Sequence, residues 1–376
     1  MKKIVKNRLA AGLLGMVLFG YPFLGLNSGM IYAQNDTPSN VFRPGTTNFA
    51  LLGEFEYGMD ITSSGSNFIS PDLGLMPLYR QGNFFFEGGI GFGFDGNGPT
   101  FDVGPINLSY MLPNGWLIRA GHFDALPYGR YPRVYDPAWI NPLATGPIGF
   151  DELGAFSDYG VQLQGSGYLV DMRLRGFVSI TNGPGVSLDP GSVGMLTEPG
   201  VVDNNKAKMI GGRLSLSPFL SSNFSVGVSD YTTGNIGDPG TSYDGSGANI
   251  FAIDFNVAPT IASLDGFIRL RGELNDVHVD KPKNGPATFN NNSTAMFVMA
   301  AYQPSMTDNA VVRNSMVSFM YSRVNTPKAA NWDLVSANQY DLGYTYWFNW
   351  RTNLKFDYDI QKDAGNTLMI HVGLQL

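Results

Sequence analysis

The stretch Leu264-Asp265-Gly266-Phe267-Ile268-Arg269-Leu270-Arg271-Gly272-Glu273-Leu274 decides the fold class of this chain. Apolar side chains recur at alternate positions along it, and charged side chains stand between them. Successive side chains of a β-strand point to opposite faces, whereas an amphipathic helix would need apolar residues three and four positions apart. The stretch therefore predicts a β-strand with one apolar face and one charged face.

The same alternation recurs along most of the chain, for example over residues 168–181, 352–361 and 366–376. Counting such stretches gives about 16 strands, with ends uncertain by a few residues. After the N-terminal region, no segment has the roughly 18 consecutive apolar residues of a membrane-spanning helix. The chain is therefore predicted to be all-β.

The connections between these strands separate two architectures, a soluble sandwich and a transmembrane barrel. One set is mostly short, such as Gln81-Gly82, Pro113–Gly115 and Gly165–Gly167. The alternate set tends to be longer, as in these ranges: 124–155, 182–205, 234–247, 276–292 and 324–336. Short turns on one side and long loops on the other are typical of outer-membrane barrels, and a sandwich has no reason to sort its loops in this way.

Aromatic residues beside the turns, such as Trp116, Trp347 and Trp350, favour the barrel as well, because interfacial girdles lie there. We therefore predict a transmembrane antiparallel β-barrel of about 16 strands with closed up-and-down topology.

The N-terminal region has the pattern of an export signal. Four basic residues precede an uncharged, mostly apolar run from Leu9 to Leu26, and Ala33 offers a small residue for cleavage. An N-terminal membrane anchor is the alternative, although Pro22 and Ala33 favour cleavage. The predicted organisation is a removed signal peptide over 1–33, a periplasmic segment over 34–46, and a barrel over 47–376 with a long external loop over 124–155.

Composition excludes several kinds of site. The chain has no Cys and three His, so disulfides, iron–sulfur clusters and thiolate zinc sites are excluded, and a histidine metal cluster has little material. Its net charge of −7 argues against nucleic-acid binding. The Gly91–Gly96 stretch matches G-x-G-x-x-G, but no βαβ unit surrounds it. We predict no cofactor, no metal and no enzymatic activity; an outer-membrane esterase or phospholipase is the catalytic alternative.

Charged residues on the lumen phase of the strands bear on ion preference. The bases on that phase are Arg173, Arg175, Arg213, Arg269, Arg271 and Lys355. The acids are Glu54, Glu56, Glu87, Asp158, Asp171, Asp254, Asp265, Glu273, Asp341, Asp357 and Asp359. Acids outnumber bases, so a mild cation preference is our hypothesis.

Selectivity in such a channel depends on pore width and on the charges at its narrowest point. The pore-constriction candidates on the long loop are Arg130, Arg133, Asp136, Asp151 and Glu152. The lumen-wall candidates are Arg173, Arg175, Arg213, Arg269, Arg271, Glu273, Asp158 and Asp171. The alternative, weighted equally, is that the arginines pair with neighbouring carboxylates and hold strands or loop in place.

Three stretches carry a family resemblance: 119–129, Asp158–Gly165 and Phe177–Gly185. In these stretches the chain resembles the phosphate-selective porin O and P family and its broader relatives. The resemblance implies a single-chain 16-stranded barrel, commonly a trimer, whose third external loop, here Asp124–Ala155, folds inward and narrows the pore. The family's arginine ladder and lysine cluster are not reproduced, so phosphate selectivity is not carried over. The chain also ends in Leu376, where such barrels usually end in an aromatic residue.

The predicted function is passive diffusion of small hydrophilic solutes or ions through the outer membrane of a Gram-negative bacterium. The expected partners are outer-membrane lipid and small hydrophilic solutes, with a homotrimer implied by the resemblance and no nucleic acid. The alternative is a barrel that serves a partner, either as an adhesin or receptor or as the sheath of an electron-transfer conduit.

Overall fold

The computed structural model describes residues 49–69, 71–95, 98–126, 141–153, 156–170, 172–197, 207–218, 224–283, 289–361 and 365–375. Within them, 16 long strands form one antiparallel sheet. These strands are β1 (Phe49–Thr62), β2 (Asp72–Gln81), β3 (Phe84–Asp95), β4 (Gly98–Met111), β5 (Leu117–Leu126), β6 (Phe156–Leu169), β7 (Met172–Thr181), β8 (Met209–Ser217), β9 (Phe224–Thr233), β10 (Ala248–Val257), β11 (Gly266–Val279), β12 (Asn291–Gln303), β13 (Ser315–Asn325), β14 (Ala337–Asn349), β15 (Thr352–Gln361) and β16 (Gly365–Gln375).

The sheet closes on itself because its first and last strands pair. Residues 54–62 of β1 run antiparallel to residues 367–375 of β16, and every other long strand pairs with its neighbours in the chain. Full closure leaves no strand edge unpaired. The predicted fold class, a closed antiparallel barrel of 16 strands with up-and-down topology, is confirmed.

Shorter strands and helical turns lie at the two ends of the barrel. They are the strands Gly65–Phe68, Gly185–Val186, Leu196–Thr197 and Thr260–Ile261, the helical turns α1 (Phe150–Leu153) and α2 (Ala310–Arg313), and a 3-10 turn at Ala262–Leu264. No helix in the described parts of the chain is long and apolar enough to cross a membrane.

The connections differ between the two ends. At the short-turn end, the strands are joined by residues 82–83, 112–116, 170–171, 218–223, 258–265, 304–314 and 350–351. At the long-loop end, the joining segments include 127–155, 182–208, 234–247, 280–290 and 326–336. The predicted sorting of connections is thus present, although 96–97 and 362–364 at the long-loop end are also short.

The predicted turn at Gly165–Gly167 is wrong. Strand β6 continues to Leu169, and the chain reverses at Val170, whose φ is 57°. Gly165 accommodates a neighbouring side chain instead of a turn, because a Cβ there would lie 2.9 Å from the ring of Trp116. The alternation over residues 168–181 predicts Val170 on the apolar face of a strand, but Val170 is an exposed turn residue.

The start of β11 also differs from the prediction. Ala262–Leu264 forms the 3-10 turn, and Asp265 follows it with a φ of 48°. Two bonds hold this turn, from the Tyr302 hydroxyl to Leu264 O and from Met306 N to Asp265 O. Asp265 is thus not a lumen-wall acid, and the strand extends instead to Val279 at its other end.

The two faces of the barrel have opposite character. Alternate residues on the outer face are exposed and apolar, such as Val226, Val228 and Leu342. The residues between them point inward, and most are polar or charged towards the short-turn end. Towards the long-loop end of β8 to β13 the inward residues are apolar, including Met209, Ile250 and Val277, and they belong to the main buried cluster of the protein.

Candidate functional site

The interior of the barrel is the candidate site, and the segment Asn141–Leu153 lies within it against the inner wall of β12 to β15. Its backbone is bound by side chains of that wall. Asp357 Oδ2 accepts from Ala144 N at 3.1 Å and from Thr145 N at 3.3 Å. Lys355 Nζ donates to Leu143 O at 3.2 Å. The carboxylate and the ammonium thus hold consecutive peptide groups of the same turn.

Neutral wall side chains extend this anchoring. Thr345 Oγ1 and Ser318 Oγ both donate to Pro142 O, at 2.7 and 3.3 Å. Gln339 Nε2 donates to Gly146 O at 3.3 Å, and Ser322 Oγ accepts from Ile148 N at 3.2 Å. Wall side chains therefore satisfy the backbone of a segment that has no sheet partner, as buried peptide groups require.

Apolar contacts fix the far end of the segment. The ring of Phe150, on α1, packs edge-to-face on Phe297 of β12 with centroids 5.2 Å apart. Gly149 has a φ of +83°, and a Cβ there would collide with Val324 of β13. Phe150 and Leu153 are buried, so the segment joins the main apolar cluster.

Three long loops interlock above this cluster, and we call them the loop cap: residues 182–197, 234–247 and 326–336. Trp332 Nε1 donates to Val193 O at 2.8 Å, and Asp333 N donates to Gly191 O at 2.8 Å. Asn291 Nδ2, at the end of β12, donates to Gly194 O at 2.8 Å. These bonds join two of the loops to each other and to the barrel wall.

The cap is apolar underneath. Ile236, Tyr243 and Trp332 point into the main cluster and are 0%, 2% and 6% exposed. Burial also raises the pKa of the Tyr243 phenol. The cap therefore covers the interior next to β8 to β13 with packed side chains, like a small hydrophobic core.

Below the cap, the wall from β7 to β11 is rich in arginine. Arg213 Nη2 contacts Asp254 Oδ1 at 2.7 Å, and Arg213 Nε contacts Asp254 Oδ2 at 3.1 Å, so the pair is bidentate. Arg271 Nε donates to Asn256 Oδ1 at 3.1 Å, and Arg173 is only 8% exposed. On the next wall sector, Arg119 binds Glu87 at 2.9 Å. These arginines are largely withdrawn from solvent.

The wall from β14 through β16 to β2 is rich in acids, and it faces the arginine wall because β16 and β8 lie eight strands apart in a barrel of 16. Its acids are Glu54, Glu56, Asp60, Asp72, Asp341, Asp357 and Asp359. His371 lies between two of them, with Nδ1 2.9 Å from Glu56 and Nε2 3.3 Å from Asp60. The other described bases of this wall are Lys355 and, near the short-turn end of β2, Arg80.

The predicted site residues have different outcomes. Arg130, Arg133, Asp136 and Asp171 lie outside the described residues. Asp151 and Glu152 lie on α1, and the structure does not describe their side chains. Arg173, Arg175, Arg213, Arg269, Arg271 and Glu273 lie on the lumen phase of β7, β8 and β11. Asp158 is fully buried and accepts from Gly183 N at 2.8 Å, a contact that orders the start of a loop.

Sequence reasoning missed the loop cap and the anchoring side chains. Lys355 and Asp357 appeared only as lumen charges, because a strand pattern does not say which loop will meet them. A signal for the cap does exist: the inward phase of β10 to β12 is apolar near the long-loop end, as at Ile250, Val277 and Ala295. In a polar lumen, apolar inward residues indicate a covering layer.

The acidic and histidine side chains in the described parts of the chain bear on whether a metal or catalytic site is present. No three acidic or histidine side chains there could hold a metal ion together. His122 bonds to Gly104 O, His278 to Asn292 and Asp280, and His371 to two acids. None of these described contacts joins a histidine to a serine.

Comparison with known proteins gives structural likeness without sequence likeness. No protein-family model and no curated protein sequence matches the chain. Among solved structures, it is similar to OmpF of Salmonella typhi in complex with daunomycin, with a TM-score of 0.55, 13% identity, and coverage of 87% of this chain and 97% of that chain.

Two further solved structures give the same result. The outer membrane channel DcaP of Acinetobacter baumannii has a TM-score of 0.54 at 14% identity, covering 87% and 97% of the two chains. A loop-deletion mutant of OmpT, an outer membrane protein of Vibrio cholerae, has a TM-score of 0.54 at 12% identity, with coverage of 87% of this chain and 99% of that chain. At such identities the likeness establishes the fold, which is that of outer-membrane porin barrels.

Proposed function

We propose that this chain is an outer-membrane porin, a passive diffusion channel for small hydrophilic solutes or ions. The observation that carries the proposal is the segment Asn141–Leu153, folded inside a closed 16-stranded barrel and bound to its wall by Asp357 and Lys355. A barrel of this strand number is wide enough for an aqueous channel, and a loop held inside it narrows the passage.

Placement in a bacterial outer membrane is supported by the outer face of the barrel. Large apolar side chains such as Leu342, Val298 and Phe319 are 51%, 46% and 42% exposed there. Exposure of so many apolar residues would be unfavourable in water, but it is what a lipid-facing band requires. The signal peptide over 1–33 is part of this proposal, because a protein of the outer membrane must be exported.

A mild preference for cations is supported by the charges of the lumen. The seven acids of the wall from β14 to β2 outnumber its three bases, and Arg213 on the facing wall is neutralised by Asp254. Phosphate is not proposed as a substrate, although three stretches resemble the phosphate-selective family.

The residues that form the narrowest part of the pore are also part of this proposal. We assign the narrowest part to the loop 124–155, with Arg130, Arg133, Asp136, Asp151 and Glu152 as its charges. These would face Arg173, Arg175, Arg269 and Arg271 across the lumen. The anchoring of Asn141–Leu153 supports this assignment, because it keeps the second half of the same loop inside the barrel. A homotrimer, as implied by the resemblance, completes the proposal.

The second candidate is a barrel that serves a partner as an adhesin or receptor. The interlocked loop cap favours it, because ordered loops offer a preformed surface at the long-loop end. A sheath for an electron-transfer conduit fits less well, since the segment inside the lumen would obstruct a guest protein. A catalytic role is not proposed, since the described contacts of the three histidines include no serine.

Planar-bilayer recording of the refolded chain under a salt gradient tests the proposal. We expect stable conductance steps and a reversal potential of the sign given by permeant cations. A folded barrel without conductance would overturn the porin proposal and leave the receptor as the function to test. A reversal potential that favours chloride would overturn the cation preference alone.

A further inference from the structure

The loop cap divides the long-loop mouth of the barrel into two unequal parts. Next to β8 to β13, the inward side chains are apolar and packed under the cap, as at Ile250, Val279 and Ala295, each fully buried. Ser293, an inward residue of β12, is 0% exposed beneath the same layer. This part of the mouth contains a core, so a hydrated solute would have to unfold it in order to pass.

The opposite part of the mouth is open to solvent. On β4, Thr100 and Asp102 point inward and are exposed, and on β2 Asp72 is exposed as well. On β1, the side chains of Glu56 and Asp60 are 27% and 35% exposed. The cluster under the cap has no member from β1 to β5 among the described residues.

Glycine widens this open part. Gly74 of β2 pairs with Gly91 of β3, and Gly93 lies two positions further along the same inward face. A row of positions without side chains therefore separates Asp72 from Asp102. The result is a groove along the inner wall of β1 to β4, and we call it the open groove.

The acidic and basic side chains of the lumen also differ in how far they are exposed to solvent. Near the long-loop end of the open groove, the described ionisable groups with solvent access are carboxylates, at Asp60, Asp72 and Asp102. The basic side chain of the groove, Arg80, lies at the short-turn end of β2.

On the facing wall, Arg173 and Arg271 are each 8% exposed and the Arg213 side chain is 11% exposed, whereas Arg175 and Arg269 are partly buried. None of these five arginines lies in the long-loop half of its strand. A solute that enters the groove from the long-loop end therefore meets solvent-accessible carboxylates before it reaches any of these basic side chains.

We infer that solutes enter this barrel along the open groove of β1 to β4 and not beneath the loop cap, and that the groove selects small hydrated cations, including organic ammonium ions. This inference rests on the proposed channel function. It deepens that function because it places the path in one sector of the mouth and assigns the charge preference to exposed side chains of that sector.

Cysteine accessibility tests the path, since the chain has no cysteine of its own. Thr100→Cys and Ser293→Cys form a matched pair: both replace a hydroxyl residue on the inward face near the long-loop end, one in the open groove and one beneath the cap. Each variant is treated from the long-loop side with a methanethiosulfonate that carries either trimethylammonium or sulfonate. The thiolate attacks the reagent sulfur, a mixed disulfide forms, and methanesulfinate leaves.

We expect Thr100→Cys to be modified and its single-channel current reduced, with the cationic reagent faster by about tenfold, the low end of electrostatic steering. Ser293→Cys should stay unmodified until Gly194→Ala is added, because a Cβ on Gly194 would lie 2.6 Å from the Tyr243 hydroxyl and push the cap apart. Adding Asp72→Asn and Asp102→Asn to Thr100→Cys should remove most of the preference for the cationic reagent.

Intact mass reports modification whether or not the barrel conducts, so failure of the path and failure of the channel are distinguishable. Modification of Ser293→Cys as fast as Thr100→Cys would overturn the path, and so would an unmodified Thr100→Cys in a conducting barrel. Equal rates for the two reagents at Thr100→Cys would overturn the charge selection. A barrel that is modified as expected but carries no current would overturn the channel and leave the open groove as a closed vestibule.

Discussion

The side chain of Arg213 is the ion-pair partner of a buried acid in the lumen. Asp254 is 1% exposed, and Arg213 supplies two of its nitrogens to that carboxylate. Of the two roles considered for lumen arginines, this contact favours the structural one at Arg213. Removing one member of a buried pair leaves the other charge without compensation, which costs more than the pair itself contributes.

The variant Arg213→Met should therefore destabilise the barrel by about 3 kcal/mol, the usual penalty for an orphaned buried charge. Urea unfolding in lipid vesicles, followed by tryptophan fluorescence, measures the loss. The double variant Arg213→Met with Asp254→Leu is the control and should recover most of the stability, because an apolar pair carries no desolvation cost. Equal stability of Arg213→Met and the unaltered chain would contradict the structural role.

At the scale of elements, β15 holds the segment Asn141–Leu153 through alternate inward residues. Lys355 and Asp357 both bind its backbone, while Asp359, two residues further along the same face, accepts a bond from Gln361 Nε2 at 2.9 Å. Asp357 and Asp359 thus share strand, face and chemical type. They differ in whether the carboxylate meets the segment.

We expect Asp357→Ala to release the segment, since two hydrogen bonds to a charged acceptor are together worth about 3 kcal/mol. The released segment should be cleaved by protease within 141–149, and the open-channel current should become noisier. Asp359→Ala is the matched control and should keep both the segment and the quiet current. If the two variants were equally sensitive to protease, Asp357 would not be the anchor.

Across the whole molecule, the distribution of polarity is the reverse of that in a water-soluble protein. Apolar side chains such as Leu342 and Val298 are exposed on the outer face, and charged side chains such as Asp341 and Glu273 are buried inside. A water-soluble barrel would need the reverse. The outer apolar band therefore limits where a charge can be placed.

A charge in the middle of the band should impair stability much more than one at its edge. Leu342→Arg, halfway along β14, should cost about 2–4 kcal/mol in a bilayer, whereas Asn338→Arg on the same face near the long-loop end should cost at most about 1 kcal/mol. Folding yield and urea midpoints in vesicles compare the two. A similar cost at both positions would contradict the proposed membrane band.

Much of the barrel follows from local sequence. Strand number and the face of each residue depend on alternation with a period of two, which neighbouring residues define among themselves, as at Arg269, Leu270 and Arg271. The turn prediction failed at Gly165 because glycine can serve two structural roles, to form a turn or to leave space for a neighbouring side chain. Gly165 reads as a turn residue, but its missing side chain makes room for Trp116, which is distant in sequence.

The chain by itself thus determined the all-β class, the strand count and which residues face inward. Only the tertiary structure decided which inward residues meet water, which bind a loop and which form a core. Those outcomes depend on contacts between distant residues: Trp332 meets Val193 139 positions away, and Asp357 meets Ala144 213 positions away. No local periodicity encodes such a meeting, because it exists only after the sheet has closed and brought the loops over the lumen.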